Sequence, residues 1–180
     1  MHALRIAIGI AWAVFWLGWL TAAFTAKRSA TRRWFLGPRG VAAIALVILL
    51  RGVRGGSLEV HSLVVGVIGA ALFAAGIALA VWARVILGRN WGMPMTQRAE
   101  PELVTAGPYG LVRHPIYSGI LLGMVGTSLV TNLIGLGITV ILGAFFVYSA
   151  TVEERNLTAT FPQAYPAYSS RTKMLIPYVV

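Results

Sequence analysis

The stretch from Ser62 to Leu87 reads SLVVGVIGAALFAAGIALAVWARVIL, and its only charged side chain is Arg84. A helix crosses the hydrocarbon core of a bilayer with about 20 mainly apolar residues, so this stretch is long enough to span. Glycines recur along it at Gly66, Gly69 and Gly76. Small side chains let membrane helices approach one another closely. The stretch therefore predicts a transmembrane helix with a packing face of small residues.

Four further stretches are apolar enough to be candidate spans: Leu4–Thr25, Val41–Leu50, Ile116–Val130 and Leu133–Ala150. The second of these reaches spanning length only if it is extended back to Trp34. Only Thr131 and Asn132 separate the last two, which are therefore predicted to form a tight antiparallel hairpin. The sequence predicts an all-α, polytopic integral membrane protein with about five transmembrane helices.

The composition agrees with this fold class. Of the 180 residues, 58% are hydrophobic and 11% are charged, whereas soluble domains average about 25% charged residues. The chain has no cysteine and three scattered histidines, so neither disulfides nor a metal site are predicted. The net charge of +10 lies mostly between apolar runs, which indicates membrane topology and anionic lipid headgroups rather than nucleic acid.

The basic residues also predict an orientation. With five spans, eleven of them fall on one side, and that side faces the cytoplasm by the positive-inside rule. The other side has Arg5, Arg51 and Arg54. The N-terminus is then outside and the C-terminus is cytoplasmic. The eleven residues are Lys27, Arg28, Arg32, Arg33, Arg39, Arg89, Arg98, Arg113, Arg155, Arg171 and Lys173.

Ionisable residues collect in the two longest polar segments, 88–115 and 151–180, which share the cytoplasmic side. Gly107-Pro108 is a turn signal, and Pro115 suits the first turn of the next helix. His114 is then at the helix mouth, where backbone N–H groups attract anions. Arg113 and His114 are consistent both with an anionic ligand site and with a basic anchor at the membrane surface.

Glu153 and Glu154 follow directly on the fifth candidate span. In a hairpin its two open ends are neighbours, so these acids are expected close to Arg113 and His114. They could form a structural ion pair or bind a ligand. Beyond them, the helical spacing of the aromatic residues Phe161, Tyr165 and Tyr168 fits either an interfacial helix or a lid over a cofactor.

Taken together, several short motifs resemble the isoprenylcysteine carboxyl methyltransferase family. They are Leu103-Val104-Thr105-Ala106-Gly107-Pro108-Tyr109, Arg113-His114-Pro115-x-Tyr117-x-Gly119, Glu153-Glu154-x-x-Leu157, the aromatic Phe161, Tyr165 and Tyr168, and the ending Leu175-Ile176-Pro177. The resemblance covers about Ala83 to Tyr178. The family is similar to phospholipid N-methyltransferases and, more distantly, to nicotinamide-dependent sterol reductases.

The resemblance implies a membrane enzyme that uses S-adenosylmethionine, releases S-adenosylhomocysteine, and takes a lipophilic acceptor from the bilayer. A single membrane domain, 1–180, would hold N-terminal helices in 1–87 and the catalytic, cofactor-binding half in 88–180. The carried-over cofactor-binding residues are Tyr109, Leu111, Val112, His114, Pro115, Tyr117, Glu153, Glu154 and Tyr165. The catalytic candidates are Arg113, Glu154 and Arg171, with either arginine orienting an anionic acceptor. A phospholipid N-methyltransferase, a sterol-type reductase and a non-catalytic scaffold are the alternatives.

Overall fold

The computed structural model of the protein describes residues 1–23, 58–91 and 102–177, and the regular elements within these ranges are helices. Short 3-10 turns lie at Gly88–Asn90 and Gly107–Gly110. The prediction of an all-helical fold is confirmed. The helices are α1 (His2–Ala23), α2 (Leu63–Leu87), α3 (Pro115–Val130), α4 (Ile134–Thr160) and the short α5 (Ala164–Ser169).

Three of these helices, α1, α2 and α4, are long and apolar enough to cross a membrane, and α3 is a shorter apolar helix of 16 residues. They correspond to the first, third, fifth and fourth candidate spans. The protein is therefore an integral membrane protein. The second candidate span, Val41–Leu50, lies outside the described residues, as do many of the basic residues that set the predicted orientation.

Helices α2 and α3 pack against each other through glycines on both sides of the contact, as the small-residue pattern predicts. A Cβ atom placed on Gly119 of α3 would lie 2.6 Å from the carbonyl oxygen of Gly76 and 2.7 Å from the backbone nitrogen of Ala80. One on Gly69 of α2 would lie 2.7 Å from the carbonyl oxygen of Gly126. The two backbones are in contact, and this close approach depends on the absence of side chains.

Helix α1 is held against this pair at two levels. The indole nitrogen of Trp12 donates a buried hydrogen bond of 2.9 Å to the hydroxyl of Thr127. One turn from the start of α1, Arg5 forms an ion pair with Glu59 and donates to the carbonyls of Val60 and Val130. The start of α1 therefore lies beside the start of α2 and the end of α3.

The predicted hairpin between α3 and α4 is present, and its turn is fastened by the side chain of Asn132, which accepts from the backbone N–H of Ile134 at 2.9 Å. The predicted end of α4 at Ala150 was wrong, because the helix continues to Thr160. Apolarity marks where a helix leaves the hydrocarbon region, whereas its backbone hydrogen bonding continues into polar sequence. Glu153 and Glu154 thus lie within α4, not after it.

Candidate active site

The start of α3 and the polar part of α4 face each other because the hairpin is antiparallel. His114 is the N-cap residue of α3, and Pro115 is the first helical residue, as expected for a residue without a backbone N–H. Arg113 directly precedes them. Opposite lie Glu153 and Glu154 of α4. The structure therefore brings together the two pairs of charged residues that hairpin geometry predicts to be neighbours.

Arg113 holds Glu154 through two hydrogen bonds. Its Nε donates to Glu154 Oε1 at 2.7 Å, and Nη2 donates to Oε2 at 3.3 Å. Its Nη1 donates to the backbone carbonyls of Ser169, at 3.2 Å, and of Thr172. The guanidinium group is thus committed to the carboxylate and to the tail of the chain, which fixes the position of Glu154.

His114 lies between the two carboxylates. Its Nε2 is 3.2 Å from Glu154 Oε1, and its Nδ1 is 3.5 Å from Glu153 Oε2. A neutral imidazole would turn an unprotonated nitrogen towards one carboxylate, and only the imidazolium form can donate to both. Burial lowers the pKa of His114, but the hydrogen bonds and charges of Glu153 and Glu154 outweigh burial, so its pKa lies above the ordinary value. The contacts of its two ring nitrogens with Glu154 and Glu153 therefore favour the imidazolium form of His114.

This arrangement predicts how stability changes with pH. Because the pKa of His114 is raised on folding, its charge stabilises the fold fully below the unfolded pKa of about 6.5. That contribution is lost as the pH rises through the higher folded pKa. The unfolding temperature of the detergent-solubilised protein should therefore fall as the pH is raised from about 6 into the alkaline range, and a His114→Gln variant should show a shallower fall.

The exposed His61 supplies the matched control for this measurement. A His61→Gln variant should keep the pH dependence of the wild-type protein. If His114→Gln and wild-type unfolding temperatures fall in parallel over this range, the cation assigned to His114 is wrong.

Tyr117, in the first turn of α3, connects the charged cluster to the apolar contact between α3 and α4. Its hydroxyl donates to Glu153 Oε1 at 2.5 Å. Its ring stacks on His114, with centroids 5.5 Å apart, and on Phe146 of α4, with centroids 4.4 Å apart. The stacked rings join the charged cluster to the apolar core and hold the start of α3 against α4.

The end of the chain closes over the cluster. The backbone N–H groups of Arg113 and His114 donate to the carbonyls of Lys173, at 2.8 Å, and Met174, at 3.0 Å. In α5, the hydroxyl of Tyr168 donates to the carbonyl of Tyr109 at 2.6 Å. The aromatic tail thus packs onto the Gly107–Gly110 turn and the residues after it, which favours the lid over the purely interfacial helix.

Two buried tyrosine hydroxyls lie near the cluster, those of Tyr109 and Tyr165, and neither donates a hydrogen bond to an acceptor among the described residues. The two side chains are 7% and 3% exposed. Burial raises the pKa of both. Tyr168 and Glu153 raise the pKa of Tyr109 further, whereas Arg84 lowers it. Glu154 raises the pKa of Tyr165 further, whereas Arg113 lowers it. A buried hydroxyl without a partner costs about 1–3 kcal/mol, so a bound polar molecule would stabilise both.

The remaining predicted site residues are spread around the cluster. Val112 is buried behind it, whereas Leu111 is exposed at the surface. Arg171 is also exposed, and its Nε donates to the carbonyl of Ala167 at 3.0 Å. It lines a cavity of about 360 Å³ together with Arg113 and the rest of Ser169–Met174. Arg171 therefore lies at the exposed surface of the tail, beside the cavity that Arg113 also lines.

Two residues near the cluster were absent from the predicted site. Tyr168 had a sequence signal in the spacing of the aromatic tail. Arg84 also had a sequence signal, since it is a charged residue inside an apolar span and such residues are usually functional. Its Nη1 donates to the carbonyl of Gly88 at 2.7 Å, and its guanidinium carbon lies 4.9 Å from the centre of the Trp91 ring.

The fold and the cluster define a class: a helical integral membrane protein with a buried network of arginine, histidine, glutamate and tyrosine at one end of a helical hairpin. A profile of the phospholipid methyltransferase family matches residues 64–164, which include both halves of the network. The chain belongs to the phospholipid methyltransferase family.

Individual relatives agree with this assignment. The cobalt-zinc-cadmium resistance protein CzcN of Cupriavidus metallidurans is 36% identical over 107 residues, covering 57% of this chain and 46% of the relative. The protein-S-isoprenylcysteine O-methyltransferase B of Arabidopsis thaliana is 31% identical over 115 residues, covering 62% of this chain and 58% of the relative. The predicted resemblance to isoprenylcysteine carboxyl methyltransferases is confirmed. The chain spans about half the length of the curated relatives it matches.

A solved structure supports the fold. The eukaryotic intramembrane Ras methyltransferase ICMT superposes with a TM-score of 0.62 at 23% identity, over 82% of this chain and 55% of that protein. At this level of identity the likeness concerns the arrangement of the helices.

Proposed function

We propose that the protein is an S-adenosylmethionine-dependent methyltransferase that acts on a lipophilic acceptor, in the manner of an isoprenylcysteine carboxyl methyltransferase. The observation that carries this proposal is the buried network of Arg113, His114, Glu153 and Glu154, closed by the tail and flanked by the hydroxyls of Tyr109 and Tyr165. Membership of a methyltransferase family supports the proposal. Family membership also favours a methyltransferase over a sterol-type reductase or a scaffold.

The residues present fit the polar groups of the methyl donor. S-adenosylmethionine supplies an already activated methyl group, so the protein has mainly to position it and exclude water. Glu153 and Glu154 would bind the donor's ammonium group or ribose hydroxyls, and the imidazolium of His114 would bind its carboxylate at the start of α3. Tyr109 and Tyr165 would donate the hydrogen bonds that their hydroxyls lack. Pro115, Val112 and the stacked ring of Tyr117 would form the wall behind them.

Arg113 takes a positioning role in this proposal. Its donors are engaged by Glu154 and by the carbonyls of Ser169 and Thr172, so it orients the donor site and fastens the tail above it. Arg171 faces outwards on the same tail, and an acceptor with a polar headgroup could meet it there. Leu111, exposed beside the turn, would contact the membrane or the acceptor.

The protonation of the cluster favours a carboxylate as the acceptor. A carboxylate is a nucleophile without prior loss of a proton at neutral pH, whereas an ammonium acceptor needs a base. Glu154 accepts from Arg113 and His114, and Glu153 accepts from Tyr117 and faces His114. These contacts disfavour proton transfer to either carboxylate, while the remaining acceptor sites of each can still meet the polar groups of the donor. Phospholipid N-methylation, which the family description raises, is the second candidate.

The site would open towards the cytoplasm, where soluble S-adenosylmethionine is available, with the N-terminus of the chain outside. This orientation rests on the distribution of arginine and lysine along the sequence. Membrane lipids and the lipophilic acceptor are the partners that the apolar helix surfaces imply.

Isothermal titration of the detergent-purified protein with S-adenosylhomocysteine, with NADPH in a parallel cell, tests the cofactor class. We expect saturable binding of S-adenosylhomocysteine that is lost in a His114→Ala variant whose elution profile and helical circular dichroism match the wild-type protein. Binding of NADPH without S-adenosylhomocysteine would indicate a reductase instead, and the absence of both from a folded sample would favour a scaffold.

A further inference from the structure

The tail segment Ser169–Met174 and the side chain of Arg113 enclose a cavity of about 360 Å³. Its lining carries three cationic side chains, those of Arg113, Arg171 and Lys173, and no acidic one. Because one water molecule takes up about 30 Å³ in the liquid, this volume accommodates a phosphate group together with part of a glycerol headgroup. The cavity is therefore electropositive and large enough for a small anionic group.

Arg171 and Lys173 supply the charge that a ligand in this cavity can use. Arg171 donates through Nε to the carbonyl of Ala167. Among the described residues, its two terminal nitrogens and the ammonium of Lys173 have no carboxylate or other acceptor as a partner, and both side chains are exposed. Arg113, by contrast, is committed to Glu154 and to the tail carbonyls, so it shapes the cavity and leaves the binding of a ligand to the other two cations.

The backbone of the tail does not oppose an anion at this place. The carbonyls of Ser169 and Thr172 accept from Arg113 Nη1, and the carbonyl of Lys173 accepts from the backbone N–H of Arg113. These hydrogen bonds offset the partial negative charge of the three oxygens. The positive charge of the lining is therefore not cancelled by the main chain around it.

The surroundings of the cavity indicate that its anion belongs to a lipid. Arg113 stands two residues before Pro115, the first residue of the apolar helix α3, so the cavity lies where this helix reaches the bilayer surface. Exposed apolar side chains flank the same segments, since Leu111 and Ile176 are each 55% exposed. A soluble anion gains nothing from these side chains, whereas the acyl chains of a lipid can pack against them.

We propose that this cavity binds the phosphate group of an anionic membrane phospholipid, with Arg171 and Lys173 as the residues that hold it. A guanidinium group pairs with two phosphate oxygens at once, and an ammonium group adds a compact point charge. Basic pockets at the ends of membrane helices attract anionic headgroups in this way. The inference goes beyond the proposed function, because the lipid is neither the methyl donor nor the methyl acceptor.

A lipid bound here would also stabilise the closed tail. The segment that lines the cavity is the one whose carbonyls, at Ser169, Thr172 and Lys173, are tied to Arg113 beside the charged cluster. A phosphate group that bridges Arg171 and Lys173 restrains the same segment from its exposed side. Anything that binds only the folded tail raises its stability by mass action.

Native mass spectrometry of the detergent-purified protein, without methyl donor, tests the inference with phosphatidylglycerol, phosphatidylcholine and glycerol 3-phosphate as probes. We expect phosphatidylglycerol to bind about 10-fold more tightly than phosphatidylcholine, which has the phosphate but no net charge. Glycerol 3-phosphate at an equal concentration should not displace it. Arg171→Gln and Lys173→Gln should each weaken the binding of phosphatidylglycerol by about 3–10-fold, and the double substitution by about 30-fold.

Arg155→Gln is the matched control, because Arg155 is exposed at the same end of the helices but does not line the cavity. It should keep the wild-type affinity within about twofold, since salt screens charges at a distance. Thermal unfolding in detergent without lipid checks that each variant is folded. Added phosphatidylglycerol should raise the unfolding temperature of the wild-type protein and of Arg155→Gln more than that of the double variant.

Equal binding of phosphatidylglycerol and phosphatidylcholine to the wild-type protein would overturn the inference, and so would wild-type affinity in the folded double variant. An effect of Arg155→Gln as large as that of Arg171→Gln would overturn it as well, because the attraction would then come from the whole charged surface. Displacement of phosphatidylglycerol by an equal concentration of glycerol 3-phosphate would assign the cavity to a soluble phosphate compound instead. None of these outcomes depends on S-adenosylhomocysteine, so the proposed function stands or falls separately.

Discussion

Replacing Glu154 with glutamine is expected to lower methyl transfer by about 100-fold or more and to weaken binding of S-adenosylhomocysteine. One carboxylate accepts from both Arg113 and His114, and its side chain is 18% exposed. The amide keeps the size of the side chain but removes its charge, and it turns an N–H group towards one of the two cations. Breaking a buried ion pair by removing one partner costs about 3–5 kcal/mol.

Glu59→Gln is the matched control for this change, since it removes the same charge from an ion pair at the opposite end of the helices, where Glu59 meets Arg5. It should reduce stability while leaving the affinity for S-adenosylhomocysteine unchanged. Titration calorimetry and initial rates on both variants make the comparison. Wild-type binding and turnover in Glu154→Gln would show that Glu154 belongs to neither the donor site nor its support.

A Glu154→Asp variant separates charge from reach. Aspartate keeps the carboxylate but is one methylene shorter, so it can satisfy Arg113 or His114 but cannot keep both of the distances that glutamate makes, 2.7 Å and 3.2 Å. We expect intermediate binding and turnover. If aspartate is as damaging as glutamine, the position of the carboxylate matters more than its charge.

The proximity of Arg113 and Glu154 could be predicted from the sequence because it depends on one short turn. Only Thr131 and Asn132 connect the two candidate spans, and so short a connection forces them into an antiparallel hairpin. The open ends of a hairpin are neighbours. The end of α4 could not be predicted in the same way. Hydropathy reports the boundary of the apolar layer, and α4 leaves that layer before it ends at Thr160.

Some contacts in the site could not be predicted from the sequence, because they join segments that are distant along the chain. The position of Tyr109 depends on how the Gly107–Gly110 turn rests on Ile86 and Trp82 of α2, and no local pattern encodes that packing. The double role of Arg113 likewise appears only when the tail folds back, because Ser169 and Thr172 are far from it in sequence. Local motifs identified the charged residues, and tertiary packing assigns each its partners.

The glycines between α2 and α3 connect the fold to the site, because α3 begins at the cluster. Gly119 lies just one turn after Pro115, and any side chain at this position meets the backbone of α2 at Gly76 and Ala80. A Gly119→Leu substitution should therefore separate the helices and move His114 away from the two glutamates. Overpacking typically costs about 1–3 kcal/mol and occasionally more, and we expect a value at the upper end because backbone rather than a flexible side chain blocks the space.

Gly137→Leu provides the comparison that isolates the steric effect. A Cβ atom at Gly137 of α4 meets nothing within 4 Å, so this variant adds the same side chain to a spanning helix on an open surface. Thermal unfolding in detergent should show a large loss of stability for Gly119→Leu and little change for Gly137→Leu, and only the former should lose affinity for S-adenosylhomocysteine. Equal unfolding temperatures for the two variants would contradict the close contact of α2 and α3. Loss of stability with intact binding would mean that the start of α3 is held by the tail and by Tyr117 rather than by α2.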